Sequence, residues 1–181
     1  MRQPDPLSVE DLERLPGGSA QSAVVRLWFY VQWGDSSSTA RFYDPRVLRT
    51  IGDATVAGAY SLRRLEMLDS RPRVRSETRN AAGTLVTVDV LTTSAPPRPE
   101  FFLLRHRAVG WRIVYDSLLE KALPSYIQAQ KQFAVAPGNN TPSPDATTAG
   151  AAAVKQYRQI LFSDLAAARA AELRSGSVAQ E

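Results

Sequence analysis

Asp89 interrupts a strand-like run in which Val86, Val88 and Val90 recur at every second position, so alternation places it on the opposite face from the valines. Two kinds of chemistry follow. If that face lines a cavity, burial raises the carboxyl pKa and Asp89 becomes an acid–base group, with the Tyr30 hydroxyl as donor. If the face meets solvent, Asp89 pairs with an arginine on a neighbouring strand, which is the simpler reading beside so many arginines. Asp53 and Tyr60 form a second acid and hydroxyl set of the same kind. Trp28, Trp33 and Tyr60, with Tyr30 and Phe42, supply apolar walls for a ligand, although helical spacing makes them core residues first. Arg71, Arg73, Arg75 and Arg79 alternate onto one face and could hold an anion. Glu77 stands in that row and no aromatics interleave, so a solvated charged face is the plainer account and nucleic acid is not the expected partner.

Other chemistries are excluded by composition. His106 is the only histidine and lies between Arg105 and Arg107 with no evident carboxylate partner, so it reads as an ordinary sheet or surface residue. A multi-histidine metal site cannot be built. The absence of cysteine removes disulfides, thiolate metal sites and thiol nucleophiles. Pro16-Gly17-Gly18-Ser19 lacks the lysine and spacing of a phosphate-cradling loop, so neither metal nor organic cofactor is expected. The 22 basic residues exceed the 18 acidic ones only mildly, and nearly all are arginine, so charge decides little about partners.

These residues need elements to position them. A length of 181 residues with 44% hydrophobic content suits one domain plus an appendage. The longest apolar runs are far shorter than the roughly 20 residues of a membrane span. Met1 to Pro16 carries four acids and no apolar core, so it does not read as a signal peptide. The compartment stays open: cytoplasm is the default, and an exported form whose leader has been removed is the alternative. Ser8 to Leu15 predicts a short helix ending at Pro16, a brace within residues 1–18. Ser19 caps a helix to Trp33 that is apolar on nearly every side. Ser36 to Ser38 begin a second short helix that stops at Asp44-Pro45, and Arg46 to Ile51 suits either a strand or a helical turn. Asp53 caps a third helix, Ala54 to Leu68.

Four strands follow: Arg71 to Arg79, Thr84 to Thr93, Glu100 to Arg107 and Trp111 to Ser117. Their short connections make an antiparallel meander. Val86, Val88 and Val90 in the second strand, and Trp111, Ile113 and Tyr115 in the fourth, are its expected core faces. Leu118 to Val135 predicts a helix kinked or split at Pro124. Residues 136–148 have linker composition, and 149–181 form an alanine-rich helix and tail with a narrow stripe of Val154, Tyr157, Leu161, Leu165 and Ala168. The fold class is therefore α+β: a curved antiparallel sheet wrapped around N-terminal helices, with a C-terminal helical appendage.

Ala23-Val24-Val25 in the first long helix, Gly34-Asp35 ending it, Phe42-Tyr43-Asp44-Pro45 after the second and Gly110-Trp111-Arg112-Ile113 entering the last strand give residues 19–135 a further meaning. This order resembles the nuclear transport factor 2-like superfamily. The resemblance implies a cone-shaped fold and either a noncatalytic domain that binds a small apolar ligand or a protein partner, or a small isomerase, cyclase or dehydratase. It also admits a homodimer formed through the open sheet face. An isomerase-like member needs a carboxylate base after the second helix and donors across the cavity. Here that segment reads Arg46-Val47-Leu48-Arg49-Thr50, and the third strand offers Phe101-Phe102-Leu103-Leu104. The noncatalytic binding domain is the leading expectation, with Asp89 and Tyr30 as the catalytic pair of the alternative.

Overall fold

The computed structural model describes residues 5–93, 95–135 and 144–178. In chain order they form α1 (Val9–Glu13), α2 (Ala20–Gln32), a 3-10 helix (Ser36–Phe42), α3 (Pro45–Ile51), α4 (Asp53–Leu68), β1 (Ser70–Asn80), β2 (Gly83–Thr92), β3 (Arg98–Arg107), β4 (Gly110–Asp116), α5 (Ser117–Val135) and α6 (Pro144–Val178). The chain is α+β, with an open four-stranded antiparallel sheet in the order β1-β2-β3-β4.

Caps fix the helix starts. Ser8 accepts the Asp11 amide while the Asp11 carboxylate accepts the Ser8 amide, a reciprocal capping box. Ser19 caps α2, Asp35 caps the 3-10 helix, and Asp44 caps α3 ahead of Pro45 at the first helical position. The segment read as strand or helical turn is thus α3. Gly52, at φ +91°, turns α3 into α4, and Asp53 sits inside α4 rather than at its cap. Buried Gln32 ties the brace to the domain: its Oε1 accepts the Leu7 amide at 3.0 Å, and its Nε2 donates to the Met67 and Ser70 carbonyls at 2.8 Å.

Two bulges bend the sheet and reverse its alternation. In β1 the register passes from Val74↔Val88 to Ser76↔Thr87, which leaves Arg75 as the extra residue. Arg71 and Arg73 therefore share a face, whereas Glu77 and Arg79, opposite Val86 and Thr84, fall on the other. This corrects the expectation of a single arginine row through Arg79. In β4, Leu103↔Tyr115 is followed by Leu104↔Ile113, so Val114 is extra. Ile113 faces the core with Phe102 and Leu104, Tyr115 turns to the outer face, and Asp116 opposite Phe102 turns inward. The shared core face of Trp111, Ile113 and Tyr115 is corrected accordingly.

The core lies between the inner sheet face and the helices. Val24, Leu27, Trp28 and Val31 of α2, Val56, Ala59 and Tyr60 of α4, Val86 and Val88, Phe102, Leu104, Ile113, and Leu119 and Leu123 of α5 are all buried in it. Beside β4, the Asp44 amide donates to the Ile113 carbonyl at 2.8 Å and Tyr43 bridges Ile113 in parallel, which fastens the chain entering α3 to the sheet edge.

Among the described residues the C-terminal helix is packed along one narrow face, with Gly150, Tyr157, Asp164 and Ala168 buried. It begins at Pro144, inside the stretch read as linker, and Ala168 and Leu161 pack with Leu103, Ala82 and Tyr115 on the outer sheet face. Gly150 lets it approach α5: a Cβ there would stand 3.0 Å from Pro124 Cα. Pro124 does not split α5, which runs through it as one helix. Of the predicted stripe, Leu165 is exposed, and Asp164, one residue earlier, is buried in its place. Among the described residues no helix is long and apolar enough to cross a membrane.

Candidate functional site

The chemistry predicted from sequence is dispersed by the fold. Asp89 is buried at the outer face of β2 and paired with Arg73 at 3.1 Å and Arg75 at 3.7 Å. Arg71 is held by the Asp11 carboxylate at 2.5 Å, so Arg71, Arg73 and Arg75 already have partners from their own chain, while Arg79 is exposed at the far end of β1. Tyr30 is half-buried on α2 against Phe29 and Phe42, with the Arg41 guanidinium 4.2 Å above its ring, and it makes no set with Asp89. Trp28 is a core residue whose indole N–H is buried without a partner. Trp33 is 63% exposed and donates to the Leu7 carbonyl at 2.9 Å, so it anchors the brace and does not wall a cavity. Asp53 is exposed at the head of α4, and His106 is exposed with its ring edge-on to Trp111 at 5.1 Å.

Of those candidates, only Tyr60 enters the principal polar cluster. That cluster is centred on Asp116, which is wholly buried between the core and α6. Its carboxylate accepts the Tyr43 hydroxyl at 2.5 Å, the Tyr60 hydroxyl at 3.2 Å and the Leu119 amide at 2.5 Å. The Tyr43 and Tyr60 oxygens are 2.9 Å apart. From α6, Tyr157 accepts the Asp116 backbone amide at 2.7 Å, and its hydroxyl stands 3.4 Å from the carboxylate. The Tyr157 ring stacks on Tyr115, whose hydroxyl donates to Glu120 at 2.6 Å; Glu120 in turn pairs with Arg158. Each contributor has a local cause. Tyr43 is placed by its bridge to Ile113, Asp116 by the Val114 bulge, and the Leu119 amide by the first turn of α5, which Asp116 caps.

The electrostatics follow from burial. Loss of water pushes the Asp116 carboxyl up to about 6, against the hydrogen bonds from Leu119, Tyr43 and Tyr60 that favour its charged form, and the nearby charge of Glu100 pushes in the same direction as burial. Burial and the Asp116 charge together push the Tyr43, Tyr60 and Tyr157 hydroxyls well above the ordinary tyrosine range. A carboxyl titrating near neutrality beside two hydroxyl donors is the equipment of general acid–base catalysis. Here every one of those groups is occupied by another group of the same chain. Glu100, also buried, is matched by the Ser117 hydroxyl and by Lys121 Nζ at 2.7 Å.

Sequence reading missed Asp116 because uninterrupted alternation puts it opposite Ile113; only the bulge reverses it. A signal was present in Tyr43-Asp44-Pro45, a hydroxyl directly before a helix cap. Comparison with protein-family models, curated proteins and solved structures finds no match.

Proposed function

We propose that this chain is a noncatalytic domain of nuclear transport factor 2-like fold that works by binding a protein partner. One observation carries the reading: Tyr157 of the C-terminal helix closes the buried Asp116 cluster, so that the carboxylate, its backbone amide and the Tyr43 and Tyr60 hydroxyls are satisfied within the chain. A substrate or apolar ligand would have to displace a buried aromatic side chain to reach them. α6 packs over Leu103 and Tyr115 on the outer face of β3 and β4, so a homodimer formed through the sheet would use mainly the β1–β2 half.

Native mass spectrometry of the gently purified chain tests this reading. The expected species are the chain alone and the chain with a protein subunit. A copurifying small apolar molecule would overturn it and return the interior to ligand or substrate. The second reading, a small isomerase, cyclase or dehydratase, is supported by the Asp116 carboxyl titrating near 6 beside two tyrosine hydroxyls. It requires α6 to leave, and hydrogen exchange at the Asp116 amide separates the two: protection close to that of the global core favours the binding domain, and rapid opening favours the enzyme.

A further inference from the structure

A second cluster of arginines lies away from β1. A cavity of about 330 Å³ opens between α3 and the β3–β4 hairpin, lined by Arg46, Arg49, Arg107 and Arg112 together with Asp44, Pro45, Ala108 and Val109. The geometry points to this cavity as a binding site for a small phosphate-bearing anion. The inference is independent of whether the buried Asp116 cluster performs catalysis.

Two of the four guanidiniums are already oriented. Asp44, 2% exposed in its side chain, holds Arg107 at 2.6 Å and Arg46 at 3.3 Å, and Asp164 of α6 takes the Arg46 fork with both oxygens at 2.9 Å. Burial pushes the Asp44 carboxyl up, but the Arg46 amide and the Arg107 and Arg46 charges outweigh it and hold the carboxyl below its ordinary range. Asp44 is therefore a fixed anion whose hydrogen bonds keep two long side chains in place. Among the described residues the other two guanidiniums carry no ion pair: Arg49 is exposed on the last turn of α3, and Arg112 donates to the Trp111 carbonyl at 2.9 Å. The lining thus sets four guanidiniums against one carboxylate, Asp44; Asp164, which pairs with Arg46, also lies 3.7 Å from Arg105.

The ligand class follows from this excess. Planar guanidinium forks match phosphate oxygens in pairs, and side chains held by buried carboxylates lose less freedom on binding than free ones. The volume, at the small end of the range for ligand cavities, admits inorganic phosphate or a small phosphomonoester. Pro45, Ala108 and Val109 provide an apolar wall for the organic part of a phosphomonoester.

The test is a titration of the full chain with inorganic phosphate at low ionic strength, followed by arginine and backbone NMR shifts. Saturable binding at about 1 mM or tighter is expected, with shifts at Arg49 and Arg112 that fade as salt rises. Arg49→Gln combined with Arg112→Gln should weaken it at least tenfold, while Arg73→Gln combined with Arg75→Gln should leave it unchanged. A parallel titration with vesicles containing phosphatidate distinguishes the source of the phosphate: binding of the free ion without vesicle capture identifies a solute, and capture that the free ion competes away identifies a lipid headgroup. Equal loss in the β1 control, no saturable phosphate binding, or binding only to a polynucleotide overturns the site. Because Arg49 is exposed on the last turn of α3, the Arg49→Gln single variant keeps the test independent of any folding defect caused by Arg112→Gln.

Discussion

Tyr157 of α6 and Asp116 of β4 meet through the main chain: the Asp116 amide, lying where the sheet ends and α5 begins, donates to the Tyr157 hydroxyl at 2.7 Å. Asp116, on the edge strand β4, is in register with Phe102, and the helix supplies the acceptor for its amide. Tyr157→Phe keeps the ring stacked on Tyr115 but leaves a buried amide without an acceptor. The expected loss is about 1–3 kcal/mol in denaturant unfolding, with the slope unchanged. Tyr157→Ala also empties the ring volume and should cost about 3–5 kcal/mol. Near-equal stability of wild type and Tyr157→Phe would mean that the helix does not hold this amide.

Asp116 predicts a pH dependence of definite sign. Its folded-state pKa of about 6 stands above the ordinary 3.8, so the folded chain binds a proton that the unfolded chain has released. That contribution is fully present below about pH 4 and disappears as pH rises through about 6, a change on the order of 3 kcal/mol. Carboxylates held below their ordinary range, such as Asp11 and Asp44, have the opposite slope at lower pH. The measurement is therefore a difference: between pH 4 and 7, Asp116→Asn should lose less stability than wild type. Parallel stability curves would remove the raised pKa.

Much of the frame was legible because it depends on short-range rules. Ser8 and Ser19 marked helix starts, Pro16 and Asp44-Pro45 marked stops, and the four strands were bounded by Asn80 to Gly83, the proline-rich connection and Ala108 to Gly110. What the sequence hid depends on single inserted residues and on distant packing. Arg75 and Val114 look like ordinary strand residues, yet each reverses alternation beyond it, splitting the arginine row in one case and turning Asp116 inward in the other. Nothing local marks Asp164, because its partners, Arg46 and Arg105, are more than fifty residues away in the chain.

Asp164 should therefore govern how tightly α6 is held at its far end. Arg46 retains Asp44 when Asp164 is lost, and its side chain is 35% exposed, so Asp164→Asn should cost only about 1–2 kcal/mol after allowance for solvent screening. The sharper readout is local. Amide exchange around residues 161–168 should accelerate while the core strand β2 stays protected. Uniform acceleration through β2 would show that α6 and the sheet open only together.

The approach of α4 to α5 is set by a glycine with no turn to make. Gly58 lies mid-helix in α4, and a Cβ built on it would stand 2.2 Å from the ring of Tyr126 in α5, closer than packed atoms come. The ring is half-buried and its hydroxyl accepts from Gln130 at 2.6 Å, so moving it aside costs that hydrogen bond and its packing against α4. Helix propensity alone makes Gly58→Ala favourable by about 1 kcal/mol, whereas overpacking costs typically 1–3 kcal/mol. The clash should win, giving net destabilisation. Combining Gly58→Ala with Tyr126→Leu should recover much of it by vacating the space. Gly17, with nothing within 4 Å of its added Cβ and no positive φ, provides the contrast: Gly17→Ala should be neutral or stabilising by about 0.4–1 kcal/mol. Thermal unfolding of the three variants decides it, and stabilisation by Gly58→Ala would mean that the α4–α5 pair sits farther apart than the structure places it.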